Sequence, residues 1–199
     1  MAGPLDRNKI LDAARIVFAR HGFRKSSLTD IVRPLGVAKT AVYHHFPDGK
    51  EEIFHAVIRR EEEAVLRDME QALSNREGPA QRMRALILAK LTHFHRLRAL
   101  LDVPRDVGEE VTQIYASHET SFRGSERALI AGLLAEGRQT GLLRPLDPER
   151  LAKNIQTLLT RLELPLVFDA TPETMEREVD DLLDLIFYGI MKPEACNHG

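Results

Sequence analysis

The stretch from Gly22 to Phe54, GFRKSSLTDIVRPLGVAKTAVYHHFPDGKEEIF, constrains this chain more than any other. It sets two short helical patterns around a Gly-Val corner and closes on aromatic and basic residues. Upstream, Ile10, Ala13, Ala14, Val17, Phe18 and His21 recur at three- and four-residue spacing, which predicts an amphipathic helix over 5–21. Asp6 is its expected N-cap, Leu5 and Ile10 form a hydrophobic staple, and Gly22 supplies a left-handed C′ residue that lets Phe23 fold back on Phe18. A second start signal follows at Ser26 and Ser27. Ser27-x-x-Asp30 has the form of a capping box with a short acid, and predicts a helix over 27–35.

Gly36 permits the positive φ of a sharp turn, Val37 plugs the corner, and 38–46 reads as a third helix. Val42 and Phe46 share its inward face. Lys39, Thr40, Tyr43 and His44 share the other, with donors suited to phosphates and base edges. A helix of this size fits the major groove of B-form DNA. The same geometry also occurs in bundles that never touch DNA, where a residue such as Tyr43 only packs.

Ala13-Ala14, Phe18, Gly22-Phe23, Ser26-Ser27, Asp30-Ile31, Gly36-Val37, Thr40, Tyr43, Phe46 and Lys50-Glu51 together resemble the DNA-binding domain of the TetR family of bacterial transcriptional regulators, over about a quarter of the chain. The resemblance implies that Thr40 and Tyr43 contact DNA phosphates, that Lys39 and His44 face the groove with Ala41 beside them, and that Lys50 holds the DNA backbone. It also implies that Ser26 or Ser27 contacts phosphate as well as capping. Three departures from the family pattern bear on the geometry. Ala38 stands where a capping Ser is common, at a cost of ~1 kcal/mol. Pro34 falls in the last turn of the second helix and disfavours helical geometry at Arg33. The loop Pro47-Asp48-Gly49 is one residue longer than the commonest version.

Charge follows the same division. Residues 1–50 carry nine Lys and Arg against four Asp, a net of +5; the remainder carries nineteen against twenty-six acids, a net of −7. The basic end is the DNA end on this reading, although +5 alone is also an ordinary solvated surface.

The remainder reads as helix throughout, without a period-two run. Expected spans are 49–73, 79–101, 109–116, 118–140, 148–164 and 172 to about 191, with 102–108 irregular around Pro104 and Pro165 ending or kinking the eighth helix. The fold class expected is therefore all-α: a three-helix head with a helix-turn-helix over 1–50, a helical effector-binding and dimerisation body over 51–191, about nine helices in all, and a polar tail over 192–199. The eighth and ninth helices carry broad apolar stripes that include Leu158, Leu162, Leu166, Leu182, Leu183, Ile186 and Phe187. These fit either a four-helix interface between two subunits, as the resemblance implies, or an intramolecular core. Dimerisation would set two recognition helices about 34 to 36 Å apart, the spacing of successive major grooves on a palindrome.

Polar or aromatic residues that interrupt the body's apolar faces are candidates for lining an effector pocket: Lys90, His93, Phe94, Leu97, Tyr115, Phe122, Gln156, Thr160 and Glu163. Each is equally readable as satisfied core. Arg105, Arg123 and Arg161 could meet an anion or pair with acids such as Glu163.

Enzymatic and cofactor chemistry finds no support. His93-x-His95 points its imidazoles about 200° apart on a helix, and no Cys pair or His-Glu-x-x-His supplies a zinc set. No phosphate loop or Gly-x-Ser-x-Gly is present. With 199 residues, 43% of them hydrophobic, no apolar run near 18 residues, no export signal in MAGPLDRNK and one cysteine, Cys196, the expectation is a cytoplasmic protein without membrane contact. The partners expected are double-stranded DNA at a palindromic operator, a small-molecule effector and a second copy of the chain. The alternative is a helical small-molecule- or partner-binding module without sequence-specific DNA binding.

Overall fold

A computed structural model describes residues 5–74, 78–116 and 121–190, leaving out the side chains of 115, 116, 189 and 190. Among these residues the order is α1 (Arg7–Lys25), α2 (Leu28–Val32), a 3₁₀ turn (Arg33–Leu35), α3 (Lys39–Tyr43), α4 (Lys50–Leu73), α5 (Pro79–Leu101), α6 (Arg105–Ala116), α7 (Ser121–Gln139), α8 (Pro148–Phe168) and α9 (Pro172–Ile190), with no strand. The architecture is all-α, as the patterning predicts. None of the described helices is long and apolar enough to cross a membrane.

The residues divide into two compact units, Met1–Ala64 with Leu97–Ser117, and Val65–Arg96 with His118–Gly199. Sequence reasoning drew its boundary at residue 50. Contacts instead group the start of α4 and all of α6 with the N-terminal helices, because the first unit's core needs them: Ile53, Phe54, Ala56 and Val57 are buried among Ile10, Ala14, Phe18, Ile31, Val42 and Phe46, and Ile114 packs against the same cluster.

In the first unit, helix ends follow the predicted chemistry with local corrections. Asp6 caps α1 by accepting from Lys9 N at 2.9 Å. Gly22 does break the helix at φ 75°, but its ψ of 171° is extended rather than left-handed helical, and 23–25 resume a further turn. Phe18, Phe23 and Phe54 gather at the break, with ring centroids 4.6 to 6.1 Å apart. The Ser27–Asp30 capping box forms in both directions. Pro34, lacking an N–H for the α pattern, turns the end of the expected 27–35 helix into the 3₁₀ turn, which Gly36 closes in the left-handed conformation at φ 65°, ψ 29°. Helix α3 is shorter than the expected 38–46, and Ala38 makes no side-chain cap.

The second unit is built from long helices around Val65, Met69, Leu86, Ile130, Leu134, Ile155, Val179 and Phe187. Arg84 on α5 meets Asp180 on α9 through Nε at 2.5 Å and a second nitrogen at 3.0 Å. That bond to Arg84 holds the Asp180 carboxyl below its ordinary value. Two proline expectations are revised. Pro165 lies inside α8, which continues to Phe168 rather than ending at 164, although the proline has no N–H to give the carbonyl of residue 161. In the first unit, Pro104 precedes α6, which starts at Arg105 rather than 109, since proline's fixed φ suits a helix start.

Candidate nucleic-acid interface and the polar core of the body

Burial settles the orientation of α3. Val42 and Phe46 have no exposed surface, so the helix turns Lys39, Thr40, Tyr43 and His44 outward while Ala41 is half-buried. Tyr43 is 49% exposed and rests its ring edge over Gly49, where an added Cβ would come within 3.1 Å of Cε1. The ring is thus held from one side by Gly49 while about half of the residue is exposed. A residue that the sequence patterning missed fixes the end of α3: Arg7 lies 4.1 Å above the Phe46 ring and donates to the His45 carbonyl at 2.9 Å. Its signal was available only as an unremarkable cation in the first turn of α1.

Two expected phosphate ligands have other occupations. Ser26 is buried, and its hydroxyl donates to the Gly22 carbonyl at 2.5 Å, so it locks the corner between α1 and α2 instead of facing solvent. Lys50 Nζ donates to the Phe23 and Ser26 carbonyls, both at 2.9 Å, and lies 4.2 Å from the Phe23 ring centroid. The ammonium satisfies carbonyls left over where α1 ends, which a position in sequence alone cannot reveal. Ser27 remains exposed, with its hydroxyl 2.6 Å from Asp30 Oδ2; that bond holds the Asp30 carboxyl below its ordinary value.

Of the residues expected to line an effector pocket, Lys90 and Glu163 come together with Glu126, which sequence reasoning passed over as one of many helix-face acids. Lys90 Nζ stands 2.8 Å from Glu126 Oε1 and 2.7 Å from Glu163 Oε2. Burial by itself would lower the Lys90 pKa; the two carboxylates overcome that effect and raise it, so the ammonium stays charged. Gln156 is buried beside them and donates through Nε2 to Glu126 Oε2 and to the Arg123 carbonyl, both at 2.7 Å. A small cavity of about 10 Å³, room for roughly one water molecule, is lined by Leu86, Ile87, Lys90, Leu91, Glu126, Leu159 and Glu163. Phe122 lies 5.7 Å from Lys90 Nζ, at the edge of the cluster.

The other pocket candidates are placed elsewhere. His93 Nδ1 is 2.8 Å from Asp68 Oδ2, Phe94 packs on the hydrophobic core, and the Thr160 hydroxyl donates back to the Gln156 carbonyl at 2.8 Å, all outside the cavity lining. Leu97 groups with the first unit. The side chain of Tyr115 and the whole of Cys196 lie outside the described residues. Arg105 pairs with Glu109 at 3.2 Å, and neither it nor Arg123 nor Arg161 lines the cavity.

The expected interface residues separate by burial. Leu166, Leu183 and Phe187 are 5 to 6% exposed, enclosed in the chain's own core, and are not surface residues. Leu162, Leu182 and Ile186 are half-buried and Leu158 is exposed. Among the described side chains of α9 the most exposed apolar ones are Leu185 at 74% and Tyr188 at 72%, neither of them among the expected interface residues. A stripe wider than one neighbour's contact shows in sequence, but which edge faces inward depends on how α9 is rotated against α5 and α8.

Residues 10–57 match the family of bacterial regulatory proteins, tetR family. The HTH-type transcriptional repressor Rv1474c of Mycobacterium tuberculosis is 27% identical over 168 residues, spanning 73% of this chain and 87% of that protein. The HTH-type transcriptional repressor KstR2 of Mycolicibacterium smegmatis is 22% identical across 96% of this chain and 94% of its own length. In fold, the chain superposes on a transcriptional regulator from Cytophaga hutchinsonii with a TM-score of 0.70 at 21% identity, covering 93% of this chain and 98% of that one. The matched residues 10–57 contain the capped α2, the Gly36 corner and the outward face of α3, and with the relatives that extend along the body they make this chain a member of the TetR family, a DNA-binding transcriptional regulator.

Proposed function

We propose that the chain works as a homodimeric repressor that grips a palindromic operator through α3 and lets go when a small molecule occupies its body. The observation that carries this reading is the complete burial of Val42 and Phe46, which leaves Lys39, Thr40, Tyr43 and His44 together on the open face of α3. Thr40 and Tyr43 offer hydroxyls at the reach of phosphate, Lys39 and His44 offer donors to base edges, and the small Ala41 lets the backbone approach. Ser27 adds an exposed hydroxyl at the start of α2. Ser26 and Lys50 act indirectly, by holding the corner from which α2 and α3 project.

A five-residue helix reads few base pairs, so specificity calls for two heads on one site. Leu158, Leu185 and Tyr188, flanked by the half-buried Leu162, Leu182 and Ile186, form the apolar surface on α8 and α9 through which two copies would pair. The names of Rv1474c and KstR2 support repression as the mode of action. The body supplies a polar cluster and cavity as the effector site. Effector coupling of ~1 to 3 kcal/mol between body and head would change operator affinity by about 5- to 150-fold.

The test is selection of bound fragments from random DNA at controlled salt. An enriched inverted repeat is the expected outcome. On that site, Tyr43→Ala should weaken binding evenly across sequences, whereas Lys39→Ala should also relax base preference. Unchanged binding in both variants would sink the docking through α3.

A further inference from the structure

The cluster around Lys90 holds one carboxylate more than its ammonium requires. Lys90 and Glu126, with side chains 7% and 2% exposed, already form a neutral pair. Glu126 is saturated, its Oε1 facing Lys90 and its Oε2 accepting from Gln156. Glu163 brings a second negative charge to the same ammonium through Oε2, and at 28% exposed it is the most accessible of the three charged residues. The group therefore carries a net charge of −1 against walls made by Leu86, Ile87, Leu91 and Leu159. Holding three helices together does not require this arrangement, since an apolar replacement of a buried ionic group is commonly neutral or stabilising. A surplus carboxylate beside an apolar cavity is instead a place where a cation gains and an anion loses.

Cavity size narrows the class. Its volume of about 10 Å³ admits one water-sized group. A primary ammonium head is of that size. A guanidinium or a quaternary ammonium is several times larger. We infer that the body recognises a primary organic ammonium, its nitrogen filling the water-sized cavity and donating to Glu163 beside the Lys90–Glu126 pair, with the rest of the molecule leaving past the part-exposed Glu163. This deepens, and rests on, the reading of the body as the effector-binding part. An acid is disfavoured because Lys90 is already committed to two carboxylates, and a neutral alcohol leaves the surplus charge unbalanced.

The test is calorimetric titration of the full chain with n-hexylammonium, n-hexanol, n-hexanoate and hexyltrimethylammonium, each on the wild type and on Glu163→Gln. That substitution keeps the shape and removes only the surplus charge. The expected result is binding of n-hexylammonium alone, weakened about tenfold or more in Glu163→Gln, the loss of one charge-assisted hydrogen bond. Full retention in Glu163→Gln overturns the assignment, as does equal or tighter binding of the alcohol, the acid or the quaternary amine. No binding of n-hexylammonium at millimolar concentration overturns it too. If Glu163→Gln fails to fold, the ranking of the four probes on the wild type still decides. Fluorescence anisotropy on the selected DNA separates the two readings. Binding of n-hexylammonium without a change in DNA affinity keeps the ligand class and removes the release mechanism, while release by another probe alone does the reverse.

Discussion

The first unit keeps its charges outside, and the second buries some of its own. Around α1 to α3 the core is aliphatic and aromatic, with Phe18, Phe23 and Phe54 in mutual contact. Two of its cations hold backbone carbonyls near helix ends: Arg7 that of His45, Lys50 those of Phe23 and Ser26. In the second unit Lys90, Glu126 and Gln156 are enclosed in the packing of long helices. Under the proposed function the difference follows from task. A head that docks on phosphates needs short helices with firmly held ends, since the direction of α3 is the recognition geometry. A body that answers a small molecule needs a polar group whose balance a ligand can alter, and only enclosed charges are strong enough in effect.

The largest expected effect sharpens the picture of the body. Phe187→Asp places a charge in the core at a site 6% exposed and should prevent folding, whereas Leu185→Asp, at an exposed site, should leave the helical content intact and yield monomers on sedimentation. A folded Phe187→Asp protein would contradict the enclosure of α9. Next in size, Glu126→Leu leaves Lys90 paired only with the less buried Glu163 and takes an acceptor from the Gln156 amide, and should cost about 1 to 3 kcal/mol in denaturant unfolding. Replacing Lys90, Glu126 and Glu163 together by Met, Leu and Leu should recover most of that loss. If the triple replacement is as damaging as the single one, the cluster holds the body together and the contrast between the units weakens.

In the head, Gly22→Ala is the informative change. Gly22 has φ 75°, and a Cβ would run into the Glu110 carboxylate, which accepts from Arg24 N at 3.0 Å. A loss of about 1 to 3 kcal/mol is expected. Glu110→Ala in the same chain should relieve the collision and leave the backbone strain, so a thermal-melt double-mutant cycle separates the two contributions. Ala38→Ser should stabilise the head by about 0.5 to 1 kcal/mol, because it restores the missing cap at α3. Smallest is a pH effect. The Ser27 hydroxyl lowers the Asp30 pKa relative to the unfolded chain, so the capping box contributes above the unfolded carboxyl value of about 3.9 and loses its contribution as pH falls through the lower folded value. Asp30→Asn should flatten the acid limb of the stability curve slightly.

Legibility differed between the two units for a physical reason. In the head, signals are local. Asp6, Ser27 and Asp30 cap helices within three residues of themselves, Gly36 makes its turn from its own φ, and the 3.6-residue period of Val42 and Phe46 faces α3 correctly. Where the head was misread, the partner was distant: Lys50 is 27 residues from the Phe23 carbonyl that accepts its hydrogen bond, and Arg7 is 38 from that of His45. In the body, α5 was legible to the residue because Pro79 starts it, yet the inward edge of α9 was not.

The sequence by itself determined the helices, most of their ends, the outward face of α3 and the family, since each depends on propensity, capping and period within a few turns of chain. Tertiary structure alone decided that Ser26 and Lys50 hold the α1–α2 corner, that Leu185 and Tyr188 rather than Leu183 and Phe187 are exposed, and that Lys90, Glu126 and Glu163 meet. Those outcomes turn on the rotation of one helix against others 24 to 36 or more residues away, and on where burial leaves a charge no cheaper neighbour than another charge.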